Sequence, residues 1–185
     1  MNALPSRSEA GFTLVELMII VTIIGVLGAL ATYGVRSYIQ QSKTSETFAV
    51  INAIRAAEEA YFQDTFQYLD VSQGDFDKLH PSTTPGAFKR NWAGDGDTPA
   101  VSANFRELGV QIDGPVYFSY GVVAGRAGEA WAAPPTVRKD FNFPEASPDP
   151  FYIVIAKGDV DGDGKFTYVL THSLTNEVYI EDEAK

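Results

Sequence analysis

The chain has 185 residues, enough for one ordinary domain and an appendage, and its 45% hydrophobic and 12% aromatic content can fill a packed core, which excludes wholesale disorder. Acidic residues number 24 against 14 basic ones, a net charge of -10, so a phosphate-binding surface and a nucleic-acid partner are not expected; an acidic exterior or cation binding is favoured. No cysteine is present, which removes disulfides, thiolate metal sites and cysteine nucleophiles, and the two histidines, His80 and His172, fall in no recognisable catalytic or metal-ligand pattern.

The first segment, MNALPSRSEAG, is polar and carries Arg7; from Leu17 to Val35 no residue is charged. That run is just long enough for the roughly 20 apolar residues that cross a bilayer core as a helix. The order is wrong for an ordinary secretory signal, whose small-residue cleavage site follows the apolar region, because here the small-residue junction Ala10-Gly11 precedes it. One charge, Glu16, sits in the apolar entrance. A carboxylate at mid-membrane costs about 2.5–3.5 kcal/mol on insertion scales, and intramembrane acids mark function. The plain alternative is an interfacial glutamate favoured by the dipole of a helix N-terminus.

GFTLVELMIIV, Gly11 to Val21, resembles the processing and methylation motif of type IV prepilins and type II secretion pseudopilins. The resemblance implies that a membrane peptidase cuts after Gly11 and that the new N-terminal Phe12 is N-methylated. It also implies that Glu16 neutralises the Phe12 amino group of a neighbouring subunit in a filament core, the partner an intramembrane carboxylate needs. A precursor in the cytoplasmic (inner) membrane and a mature subunit in an extracellular filament follow, with copies of itself or related pilins, prepilin peptidase and the pilus assembly machinery as partners. Many members kink this helix at a proline; this chain reads Ala31-Thr32-Tyr33-Gly34, and Gly25, Gly28 and Gly34 are the residues able to melt it locally, each weakening a helix by about 1 kcal/mol relative to alanine.

Beyond Arg36 the helix changes character. Val50, Ile54, Ala57 and Tyr61, with Ile51 beside them, form an apolar stripe, and Glu46, Asn52, Arg55, Glu58 and Glu59 are assigned to the other side. As one helix, Phe12 to Phe62 would extend about 75 Å at 1.5 Å per residue, far beyond a bilayer core of ~30 Å, so its second half is expected to pack on a head.

From Gln63 to Pro115 loops dominate, with one short helix expected at Asn104–Gly109, capped by Asn104 and ended by Gly109. Strands are expected at 116–123, 151–156, 165–171 and 177–180, in an antiparallel sheet. The proline-rich stretch from Gly125 to Pro150 reads as a long exposed loop, with Trp92 and Trp131 as buried loop anchors. The fold class is therefore α+β: a long N-terminal helix packed on an antiparallel β-sheet head, as in pilins. The divisions are 1–11 leader peptide, 12–35 transmembrane and filament-core helix, 36–62 amphipathic helix half and 63–185 globular head.

Gly158-Asp-Val-Asp-Gly-Asp-Gly-Lys165 sets Asp159, Asp161 and Asp163 at alternate positions. Calcium takes six to eight oxygens, and such a loop can curl three carboxylates and the Lys165 backbone carbonyl around one ion. The twelfth position is Leu170 rather than a bidentate glutamate and strands flank the loop, so an EF-hand is rejected while an EF-hand-like β-loop for Ca²⁺ is retained. The competing reading is an acidic, glycine-rich hairpin turn. Asp95 and Asp97 form a weaker cluster, and the acidic tail reads as a solvated end.

The expected function is that of a structural subunit of a type IV pilus-like filament, with no converging catalytic set and hence no enzyme. The alternatives are a type II secretion pseudopilin, against which stands the lack of the Asp-Pro-Trp-Gly motif of its major subunit, and a single-pass membrane-anchored calcium-binding module.

Overall fold

The computed structural model describes residues 11–130, 141, 143 and 146–181, in two compact units divided at Ile39. Helix α1 is Leu14–Thr65, close to the expected bounds, and runs without interruption through Gly25, Gly28 and Gly34.

In the first unit every described side chain up to Val35 is exposed, including Leu17, Ile19, Ile23, Leu27 and Leu30. The helix is long and apolar enough to cross a membrane, and none of its apolar window is buried. A core helix of a soluble domain would be covered, so length and exposure together separate the two cases. The two hydroxyls in this stretch are satisfied inside the helix, Thr22 Oγ1 by donating to the Met18 carbonyl and Thr32 Oγ1 to that of Gly28. A polar group facing hydrocarbon requires such internal pairing.

In the second unit the helix obeys the opposite rule. Thr44, Thr47, Val50, Ile51, Ile54 and Glu58 recur at helical spacing on the buried face, with Ala57 and Tyr61 packed against the same core. Glu58 corrects the expected pattern: assigned to the polar side, it is 0% exposed. Its spacing of four from Ile54 and seven from Ile51 puts it on the buried stripe, and its polarity had concealed that.

Four antiparallel strands form a meander in the order β3 (Ser119–Gly125), β4 (Phe151–Gly158), β5 (Thr167–His172), β6 (Val178–Glu181). Strand β4 is buried along its whole length. Its Tyr152, Val154 and Ala156 share one core with α1, while Phe151, Ile153 and Ile155 share another with Leu79, Phe141 and Phe143. A strand covered on both faces reads as the unbroken apolar run FYIVIA.

The expected strand 116–123 is divided. Pro115–Val116 (β2) pairs with the short β1, Arg90–Asn91, and the chain enters the main sheet at Ser119. Between them the Tyr117 amide donates to Glu46 Oε1 on α1 rather than to a strand. Strand β5 starts later than expected because the Lys165 amide is held by Asp163 Oδ1. The short helix also starts earlier: α2 is Pro99–Glu107 with Thr98 at its cap, and proline at the first turn gives up no helical bond. Asn104 is therefore inside the helix, its Nδ2 donating to the Val71 carbonyl. Its expected terminator is in place: Gly109 has φ 81°, its amide reaches Arg106 and the Val110 amide reaches Phe105, a Schellman closure.

The loop expected to be exposed between Gly125 and Pro150 contributes Phe141 and Phe143 to the core, each 8% exposed, where they stack beside His172. Trp92 is buried against Phe105 and His80, as expected of an anchor. Trp131 and the leader up to Ala10 lie outside the described residues.

Candidate functional site

At the start of α1, Gly11 and Phe12 stand open. A Cβ added to Gly11 would meet nothing within 4 Å, so packing in this chain gives no reason for glycine there, and Phe12 is 78% exposed. Thr13 and Glu16 form a reciprocal capping box: the Thr13 amide and hydroxyl donate to Glu16 Oε2 at 2.9 and 2.8 Å, and the Glu16 amide donates to Thr13 Oγ1 at 3.2 Å. Glu16 thus has a local role at the helix N-terminus, discharged by one of its two oxygens.

The acidic loop is the connection between β4 and β5, closed by the pair Gly158–Thr167. It brings Asp159, Asp161 and Asp163 together, each offering an oxygen within 4.8 Å of the others. Asp159 is buried and organises the turn, accepting from the Gly162 amide at 2.7 Å and the Gly164 amide at 3.3 Å; both glycines have φ above 80°, which a side chain would resist. Asp161 accepts from the Asp163 amide and Asp163 from the Lys165 amide. That last bond, and the Lys165 ammonium 3.6 Å away, hold the Asp163 carboxyl below its usual range. Lys43 of α1 donates to the Val160 carbonyl at 2.7 Å, tying the loop to the helix. Three clustered carboxylate oxygens suit a hard cation, and the same bonds also make a self-sufficient acidic turn.

Asp95 and Asp97 are not brought into such a group. Asp95 pairs with Arg106, while Asp97 accepts from Ser82 and Thr83. His80 is buried with Nε2 2.8 Å from the Trp92 carbonyl; His172 is buried with neither ring nitrogen hydrogen-bonded, and burial pushes both imidazoles down. Glu58, which the sequence pattern had turned outward, is a further perturbed ionisable group, pushed up by burial.

Residues 6–32 match the family described as the prokaryotic N-terminal methylation motif. The chain is 38% identical to the type II secretion system core protein G of Pseudomonas aeruginosa over 90 residues, 49% of this chain and 63% of that protein. It is 40% identical to the type IV major pilin protein PilA of Myxococcus xanthus over 62 residues, 34% of this chain and 28% of the relative. It is also 41% identical to the type IV major fimbrial protein FimA of Dichelobacter nodosus over 56 residues, 30% and 36% of the two chains. The chain thus spans less than two thirds of the length of these relatives. No solved structure matches. An N-terminal methylation motif, a bare apolar helix and an antiparallel sheet define a pilin-like protein. By its N-terminal segment, the chain is similar to type IV pilins and to type II secretion pseudopilins.

Proposed function

We propose that the chain is a structural, non-enzymatic subunit of a type IV pilus-like filament. It is made as an inner-membrane precursor, cut by a prepilin peptidase after Gly11, N-methylated on Phe12 and assembled through its N-terminal helix with copies of itself or related pilins into a cell-surface filament. The observation that carries this reading is a methylation motif at the head of a helix whose N-terminal apolar stretch is uncovered. Such a surface needs first a bilayer and then other helices like it. Glu16 caps its own helix through Oε2 and offers Oε1 to the Phe12 amine of a neighbour. The open surroundings of Gly11 agree with a glycine kept for an outside agent rather than for the fold. The test is the N-terminal mass of protein recovered from sheared filaments: methylated Phe12 is expected, and intact Met1–Gly11 on filament-borne protein overturns the reading.

A type II secretion pseudopilin is the second reading, favoured by the match to core protein G, which extends over 49% of this chain. Deleting the chain would then abolish secretion of exported proteins while leaving surface pili in place. Under either reading we assign Asp159, Asp161, Asp163 and the Lys165 carbonyl to one calcium ion that ties β4 to β5 in place of a disulfide; the support is the convergence of the three carboxylates.

A further inference from the structure

Glu58 lies near the C-terminal end of α1 with its side chain entirely out of water. Its Oε2 accepts the Leu69 amide at 3.0 Å, and its Oε1 is bonded to nothing. The acidic groups facing it are Glu59 on its own helix and Asp70 on the segment returning from the helix end, and Asp70 Oδ1 is itself buried without a partner. Tyr61 and Tyr68 also face Glu58, but their hydroxyls are directed to other carboxylates, Glu107 of α2 and Glu59; Tyr152 of β4 likewise donates to Glu59. Arg55, one turn earlier, sends its guanidinium to the Thr175 carbonyl and Asn176 Oδ1. Among the described residues, no cation is paired with Glu58.

A charge buried in this way is far costlier than a neutral acid with one unpaired oxygen. Burial accordingly pushes Glu58 up to about 8, against the opposing pull of the Leu69 amide. The junction it holds is a reluctant one. Phe66 ends the helix at φ 58°, a left-handed conformation that L side chains resist, and Tyr68 folds back to stack on Phe62 at 4.5 Å between ring centres.

We propose that Glu58 is a proton-operated clasp: closing the returning segment 66–70 onto α1 through the Leu69 amide takes up a proton, so acid tightens this junction and alkali loosens it. The direction is opposite to that of a salt-bridged carboxylate. The closed state binds the proton more strongly than the open one, so closure is fully favoured below the ordinary carboxylate range. It weakens about tenfold per pH unit up to about 8 and no further above that. The clasp works whether the chain serves in a pilus or in a secretion filament.

The experiment uses the full chain in detergent micelles. The Glu58 carboxyl carbon is titrated by NMR, and Leu69 amide exchange is followed from pH 5.5 to 7.5 and corrected for its intrinsic pH dependence. The carboxyl is expected to titrate above pH 7, and the Leu69 opening constant to rise about tenfold per pH unit. In Glu58→Gln, which keeps an acceptor for the amide and cannot ionise, the corrected opening constant is expected to be flat; in Glu59→Gln the slope is expected to remain. A carboxyl titrating in the ordinary range, a flat wild-type profile, or an unchanged slope in Glu58→Gln each overturns the proposal. The carboxyl titration needs no variant, so poor folding of Glu58→Gln does not shelter it.

Discussion

Gly158 closes the β4–β5 hairpin immediately before the acidic loop, and a single methyl group there should unsettle both. A Cβ at this position would lie 2.7 Å from Phe118 Cδ1 and 2.8 Å from Cγ and Cε1. Ordinary carbon contacts begin near 3.5 Å, so ring or strand must shift by several tenths of an ångström. Phe118 is 1% exposed and belongs to the α1 core, which leaves the ring no open direction. Overpacking of this kind costs about 1–3 kcal/mol. At roughly 2–4 °C per kcal/mol for a domain of this size, Gly158→Ala should melt roughly 2–12 °C lower, read by near-ultraviolet circular dichroism on the full chain in micelles. The double variant with Phe118→Leu supplies the control, because a slimmer neighbour accommodates the methyl. Its loss should be smaller than the sum of the two single losses by about 0.5 kcal/mol or more. An unchanged melting temperature in Gly158→Ala, or strict additivity in the double variant, would refute the steric account.

Further outcomes concern the charged and ionisable groups. His172 is neutral and apolar-packed in the fold but free to ionise when unfolded, so its contribution should be lost as pH falls through about 6.5 toward its lower folded value; His172→Phe should reduce the drop in urea midpoint between pH 7.5 and 5.5. Calcium should raise the melting temperature of the wild-type chain, by the mass-action gain of about 2.7 kcal/mol at a hundred times its dissociation constant; a shift that persists in Asp161→Ala and Asp163→Ala would reduce the loop to an acidic turn. Glu16→Val should leave the precursor cleaved and membrane-inserted but depress incorporation into filaments, and normal filament numbers would count against the pairing with Phe12.

Much of this was legible in the sequence wherever one physical rule dominated. The uncharged run after Glu16 is long enough to cross a membrane as a helix, and β4 could be read from FYIVIA because a strand buried on both faces leaves an unbroken apolar stretch. Legibility failed where tertiary contacts overrode local preference. Val116 and Val122 look like parts of one strand, yet Val116 is claimed by Arg90, twenty-six positions upstream, a pairing no periodicity announces. Phe141 and Phe143 sit in a proline-rich stretch whose composition signals solvent, and only the cover required by β4 and His172 draws them inward. In the acidic loop the three carboxylates lie close together, and the sequence could not reveal that Asp159 is spent largely on the turn itself.

Glu16 and Glu58 show why a glutamate on this helix cannot be interpreted from its identity alone. Glu16 has Thr13 three residues before it at a helix start, so its Oε2 finds two donors without any other chain. Glu58 is buried, and that burial, with acidic neighbours and against the pull of its one donor, the Leu69 amide, drives the same carboxyl toward its neutral form. Surroundings therefore separate two identical side chains: one caps an exposed helix start, and the other, taken out of water, gives up its charge. A helix that is bare along its first part and packed on a core along its second meets both situations. The first uses a carboxylate as a helix cap, and the second lets a polar residue occupy a buried stripe with its response to pH built in.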